Sequence, residues 1–186
     1  TVRAVAGLTL TASCAPLAER RSAKTCDRGF KLGVCDWTIG KRADPASLEM
    51  AKQIGLDGVQ VDFGHGQNEL PLCNPDLQKT YLAEAKKHDI EIASLALGVL
   101  NNVPYKSDPR AERWVNESID VCQAMGVRVV LVAFFGEADL RNDNFGINVV
   151  VKRLKKVAPK AERAGVILGL ESQLSAEQHL DIIDKV

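Results

Sequence analysis

The sequence predicts an α/β fold of repeated strand–helix units, and three observations carry that reading. From Phe30 onward, short β-rich runs alternate with amphipathic helical stretches. The runs are "FKLGVCDWTI" (30–39), "DGVQVDFG" (57–64), "IEIASLALG" (90–98), "VRVVLVAFFG" (127–136) and "VILGLE" (166–171). Helix starts and stops are written between them in capping residues. Units starting at 31, 58, 90, 127 and 166 lie 27, 32, 37 and 39 residues apart, close to the size of one βα unit in an eight-fold barrel.

Each element has its own local reason. After the first run, Asp44-Pro45 starts a helix, because a capping side chain precedes a Pro whose missing N–H costs nothing in the first turn. Leu48, Ala51 and Ile54 form its apolar stripe and Gly55 stops it. Asn74-Pro75 and Asp108-Pro109 repeat the start signal after the second and third runs. Trp114, Ile119, Cys122 and Met125 make the stripe of the helix that Gly126 ends. Pro159 is expected to interrupt or kink the fourth helix before Gly165 closes it. Ser175 with Gln178 three residues later is a capping box for the last helix.

A repeated β-α order demands parallel strands joined by right-handed crossovers. Five units would complete a doubly wound open sheet, whereas a barrel needs eight. The turn after the first run, "CDWTIGKRAD", holds a lone Gly40 and neither a dinucleotide fingerprint nor a phosphate loop. The unusual residues stand instead at the carboxyl ends of the runs: Asp36 and Trp37, Asp62 and His65, Asn101 and Asn102, Phe134 and Phe135, and Glu171. A barrel keeps its active site there.

Composition bounds the function. The 186 residues are 46% hydrophobic and 26% charged, which suits one globular domain, and 24 basic residues balance 24 acidic ones. No net field draws the chain to nucleic acid or to an anionic membrane, and no window is long and apolar enough to span one. Arg141 with Lys152, Arg153, Lys155 and Lys156 reads as a solvated helix face. Five cysteines, Cys14, Cys26, Cys35, Cys73 and Cys122, show neither zinc-like spacing nor a disulfide framework, and Cys35 and Cys122 read as small buried hydrophobes. Residues 1–29 resemble an export leader remnant and linker, implying a periplasmic or extracellular protein, otherwise a cytoplasmic one. "LTASCA" departs from a lipoprotein box because Leu10 stands four residues before Cys14 rather than three.

"GLDGVQVDFG", "VPYKSDPRAERWVNESIDVCQAMGVRVVLVAFFG" and "AERAGVILGLESQLSAEQHLDIIDKV" resemble the sugar phosphate isomerase/epimerase family, the xylose isomerase-like TIM barrels, over roughly residues 30–186. The most specific piece is "GLE" followed by "LSAEQHLDIID". The resemblance implies a partial (β/α)8 TIM barrel of about five βα units, the three C-terminal units being absent. It also implies that Glu171, ending the fifth strand, binds a divalent metal (Mg, Mn or Co) and serves as acid/base beside the sugar carbonyl. The partner ligands would come from strands six to eight, so a fragment with one such carboxylate is expected to be inactive. A metal-assisted enediolate, reprotonated on the other face or on the neighbouring carbon, would give epimerisation or isomerisation.

Other candidates contact substrate. Trp37 and Phe134 would wall a sugar face, His65 would meet hydroxyls or relay a proton, and Asn101 would hydrogen-bond hydroxyls, as Asn102 would. Asp36 and Asp62 are weaker candidates, and His88 and His179 read as surface residues on helices. The expected partner is a small sugar, with no nucleic acid and no membrane span, in a chain open to homo-oligomerisation. Two other classes fit less well: a non-catalytic carbohydrate-binding or assembly protein, and an abasic-site endonuclease-like member of the same superfamily. The charge balance and the shortage of strand-end histidines oppose the latter.

Overall fold

The structure, a computed structural model, describes residues 29–186; the leader and lipoprotein readings, with Cys14 and Cys26, lie outside the described residues. Five strands, β1 (Gly33–Cys35), β2 (Gly58–Asp62), β3 (Glu91–Leu97), β4 (Val129–Phe134) and β5 (Ile167–Ser172), alternate with α1 (Ala46–Ile54), α2 (Pro75–His88), α3 (Pro109–Met125), α4 (Asn144–Ala164) and α5 (Ala176–Asp184). The sheet order is β1-β2-β3-β4-β5 and every pair is parallel. This order decides between the two architectures. Each right-handed crossover steps the same way, so every helix falls on one face and no reversal splits the sheet, as in an arc of a (β/α)8 barrel.

Register shows which side chains each face receives. Val59, Val61, Leu95, Leu97, Val130, Val132 and Phe134 point to the helices and are almost fully buried. They meet Leu48 and Ala51 of α1, Tyr81 of α2, Trp114, Ile119 and Cys122 of α3, and Val150 and Leu154 of α4 in one apolar cluster. Burying a large side chain there contributes about 1.5–3 kcal/mol. Residues of opposite parity, among them Cys35, Gln60, Asp62, Ser94, Ala133 and Glu171, line the concave face, which carries no helix.

The caps follow the sequence closely. Asn74 Oδ1 accepts from the Asp76 N–H, Asp108 Oδ1 from the Arg110 N–H, and Ser175 with Gln178 forms the reciprocal capping box. At α1 the Asp44 carboxylate accepts from the Ala46 N–H, with Pro45 already in helical conformation. Gly55, Gly126 and Gly165 end helices at positive φ, but α2 ends on Asp89, whose φ of 52° places a non-glycine residue in the left-handed region. Four details differ from expectation. β1 is only three residues long, because the chain turns at once through Thr38 and Gly40. Ile54 is 54% exposed, being the last residue of its helix. α4 remains one helix through Pro159, with Leu154, Val157 and Ala161 buried on both sides of the proline. Cys35 is half-buried on the concave face, whereas Cys122 is buried as expected.

Candidate active site on the concave face

A polar row crosses the inner face of the sheet. The Cys35 thiol donates to Gln60 Oε1 at 3.2 Å, and Gln60 Nε2 donates to Ser94 Oγ at 2.9 Å, linking β1, β2 and β3. Burial, then the charges of Asp36 and Glu171, raise the Cys35 thiol above its ordinary value. Glu171 therefore acts electrostatically on Cys35 although the two sit on opposite ends of the five-strand arc. On β5, Glu171 pairs in register with Ala133, while Leu168 and Leu170 turn to α4 and α5. Its side chain is exposed, and among the described residues it takes no ion pair. The alternative of a basic partner for Glu171 is thus not what the fold provides.

At the carboxyl ends of β1 and β2, two carboxylates are buried together. Asp36 is 0% and Asp62 1% exposed. Asp36 Oδ2 accepts from the backbone N–H groups of Asp62 and Ala43, each at 2.9 Å, and Asp62 Oδ1 accepts from the Gly64 N–H at 2.7 Å. A Cβ built on Gly98 would stand 2.5 Å from Asp62 Oδ2, so the end of β3 approaches this carboxylate closely. Burial raises both acids above the usual carboxylate range, opposed by the backbone N–H bonds and by the Arg42 charge. Through these bonds both carboxylates anchor the loops after β1 and β2, while Asp36 Oδ1 and Asp62 Oδ2 stay buried without a hydrogen bond.

Over these anchors lie two of the expected substrate contacts, joined by a residue that sequence reasoning passed over. Arg42 places its guanidinium 5.6 Å from the Trp37 ring centroid, and its Nη1 lies 3.0 Å from His65 Nε2. One face of Trp37 is therefore covered by a cation. Asn101 is half-buried and its Oδ1 accepts from the Phe135 N–H at 3.0 Å, tying the loop after β3 to the end of β4. Phe134 is elsewhere: it is 1% exposed and meets Tyr105 edge-on, with ring centroids 6.4 Å apart, on the helix side of the sheet. Its parity with Val130 and Val132 turns the ring away from the concave face, so the wall expected of it is part of the core. His179 also differs from a surface reading, since Nε2 meets Ser172 Oγ at 3.0 Å and Nδ1 meets Ser175 O at 2.9 Å, pinning α5 to the end of β5.

Gln60 and Ser94 carried a signal that was available: each is a polar residue breaking an apolar strand. Arg42 carried none, because its partners come from two separate loops.

The donor set is too small for a metal. Among the described residues no group of three or more His, Cys, Asp or Glu side chains converges on one point. Glu171 offers one carboxylate, Asp36 and Asp62 each give one oxygen to backbone N–H groups and bury the other, and the Cys35 thiol is held toward its neutral form. A hard divalent cation wants about six oxygen ligands, more than the described residues bring to one point.

The chain belongs to the xylose isomerase-like TIM barrel family, whose description matches residues 48–186. It is 22% identical over 157 residues to a 2-epi-5-epi-valiolone 7-phosphate 2-epimerase of Actinoplanes sp., a match covering 84% of this chain and 57% of that enzyme. A xylose isomerase-like TIM barrel protein from Mycobacterium smegmatis in complex with magnesium superposes with a TM-score of 0.66 at 13% identity, covering 83% of this chain and 60% of that one. D-psicose 3-epimerase from Clostridium cellulolyticum H10 with D-tagatose gives 0.63 at 16% identity, covering 84% and 60%. At such identities the two structures show the shared fold. The chain spans less than two thirds of the length of each of these relatives.

Proposed function

We propose that the protein is a sugar or sugar phosphate epimerase or isomerase in which Glu171 moves a proton at the carbon next to the substrate carbonyl. The observation that carries this reading is the placement of Glu171, an exposed carboxylate without an ion-pair partner among the described residues, at the carboxyl end of β5 on the concave face of a xylose isomerase-like barrel arc. The carboxylate takes the proton, the C–H bond breaks, and its electron pair passes into an enediolate. Return of a proton to the opposite face inverts that carbon, and return to the neighbouring carbon exchanges aldose and ketose. Gln60 and Ser94, already bonded to one another, lie on the same face and present a polar floor to sugar hydroxyls.

A divalent cation, Mg2+, Mn2+ or Co2+, would stabilise negative charge on the substrate oxygens, and its remaining ligands would come from outside residues 29–186. On this reading the present stretch alone turns over no substrate. Export of the protein, suggested by residues 1–29, is part of the same proposal and is tested by N-terminal sequencing of the mature protein.

The test is solvent exchange. In D2O the complete protein loaded with a divalent cation should wash deuterium into a ketose beside its carbonyl, followed by proton NMR. Glu171→Gln should slow that exchange at least ~100-fold while leaving the circular dichroism unchanged. Wild-type exchange in the Gln variant would remove the assignment.

One observation favours a second reading, a domain that associates through an apolar groove. A groove of about 470 Å3 between α4, α5 and β5 is lined by Leu154, Ala161, Leu168, Leu170 and Ile182, and Ile167, Leu180 and Ile183 are exposed nearby. A stable monomer in sedimentation at high concentration would count against it.

A further inference from the structure

We propose that Arg42, with His65 and Trp37, forms a recognition corner for a phosphate monoester on the substrate, so that the sugar handled at Glu171 is a phosphorylated one. This deepens the reading of the site given above and rests on it.

The corner is assembled from two separate loops at the mouth of the arc. Arg42 follows β1 and His65 follows β2, and they meet at 3.0 Å between Nη1 and Nε2. A guanidinium is always protonated and can only donate, so Nε2 accepts and the ring keeps its proton on Nδ1. One N–H of Arg42 is used in this way and the rest of the fork is free for oxygen acceptors. Arg110, in the first turn of α3, and Arg141, in the turn before α4, are each paired with a carboxylate, Asp108 and Asp139, at 2.7 Å. Arg42 has no such partner among the described residues, and its side chain is exposed.

Its position is held from beneath. Ala43, the next residue, has a φ of 52°, which costs a non-glycine residue of order 1–2 kcal/mol. The buried Asp36 Oδ2 stabilises that conformation by accepting the Ala43 N–H at 2.9 Å. Trp37 supports the guanidinium from the side. Asp36 and Asp62 lie near enough for the Arg42 charge to lower their pKa values, and neither hydrogen-bonds to it among the described residues. A strained, anchored loop presenting an unpaired guanidinium is a preorganised anion receptor. Glu171 supplies the opposite charge at the far strand of the arc. An extended substrate with its reacting carbon near the carboxylate would place an anionic end at Arg42.

Inorganic phosphate and methyl phosphate titrated into the protein at constant ionic strength, followed by phosphorus NMR, provide the test. Both should bind saturably in the millimolar range, methyl phosphate within threefold of inorganic phosphate because the site takes an ester. Arg42→Gln should weaken both at least tenfold. Lys41→Gln, which removes a neighbouring cation already paired with Asp44, should change neither by more than twofold. No saturable binding, equal losses in the two variants, or exclusion of methyl phosphate would each overturn the proposal. Glu171→Gln should leave phosphate binding intact, so a failure of the proton-transfer reading and a failure of this one are separable.

Discussion

The Asp36 carboxylate stands in for a backbone acceptor of Asp62: its Oδ2 accepts the Asp62 N–H at 2.9 Å, extending the pairing of β1 and β2 beyond the last ladder bond. The same oxygen accepts the Ala43 N–H, so one buried side chain fixes both the end of β2 and the loop that carries Arg42. Asp36→Ala removes the acceptor of both N–H groups at once. Each orphaned buried donor costs about 1–3 kcal/mol, so a loss of roughly 2–5 kcal/mol is expected in urea unfolding. Asp36→Asn, which keeps a carbonyl oxygen, should lose less; equal losses in the two variants would show that the accepted hydrogen bonds are not the source.

Asp62 gives a pH-dependent prediction. Burial raises its folded pKa above the ordinary 3.8, with Asp36 adding to the rise and the Gly64 N–H and Arg42 opposing it. The native state therefore holds the proton more tightly than the unfolded chain. Asp62 favours folding below the ordinary carboxylate value and loses that contribution as pH climbs through its folded pKa. Asp62→Asn should accordingly compare best with the parent protein at pH 7, and its relative advantage should shrink on acidification to about pH 4, read as urea midpoints at each pH. An advantage that grows on acidification would reverse the sign and defeat the argument.

Phe134 is expected to matter through packing. Its ring fills the core against Tyr105, so Phe134→Ala should destabilise by roughly 3–5 kcal/mol. Phosphate binding per folded molecule should stay within twofold. Thermal unfolding together with the phosphorus titration separates these effects, and a weakened titration with unchanged stability would return Phe134 to the site.

The capping box at Ser175 makes the last prediction. Ser175→Ala loses the acceptor for the Gln178 N–H at the start of α5, a change worth about 1 kcal/mol. Hydrogen exchange should quicken in α5, where Ile182 is the residue buried against the core. Protection of α1–α3 should be unchanged, since the pairing of those elements does not pass through α5.

Much of the fold was legible because its signals are local. Asn74 and Asp108 cap the helices they precede, Gly126 and Gly165 end the helices they follow, and the stripe of Trp114, Ile119, Cys122 and Met125 is buried along its length. The site was less so. Glu171 and Trp37 were visible as unusual residues at strand ends, but nothing in the spacing told Phe134 from a residue one position earlier, and a shift by one turns a strand side chain to the other face.

What the sequence by itself determined is the run of five βα units, their parallel sense and the place of their ends, because caps, periodicity and crossover length act over a few residues. Only the tertiary structure decided that the strands follow one another in order around an arc, that Phe134 belongs to the core, and that Arg42 meets His65 and Trp37 above two buried carboxylates. Those outcomes depend on contacts between residues far apart in the chain, whose partners are chosen by register and burial.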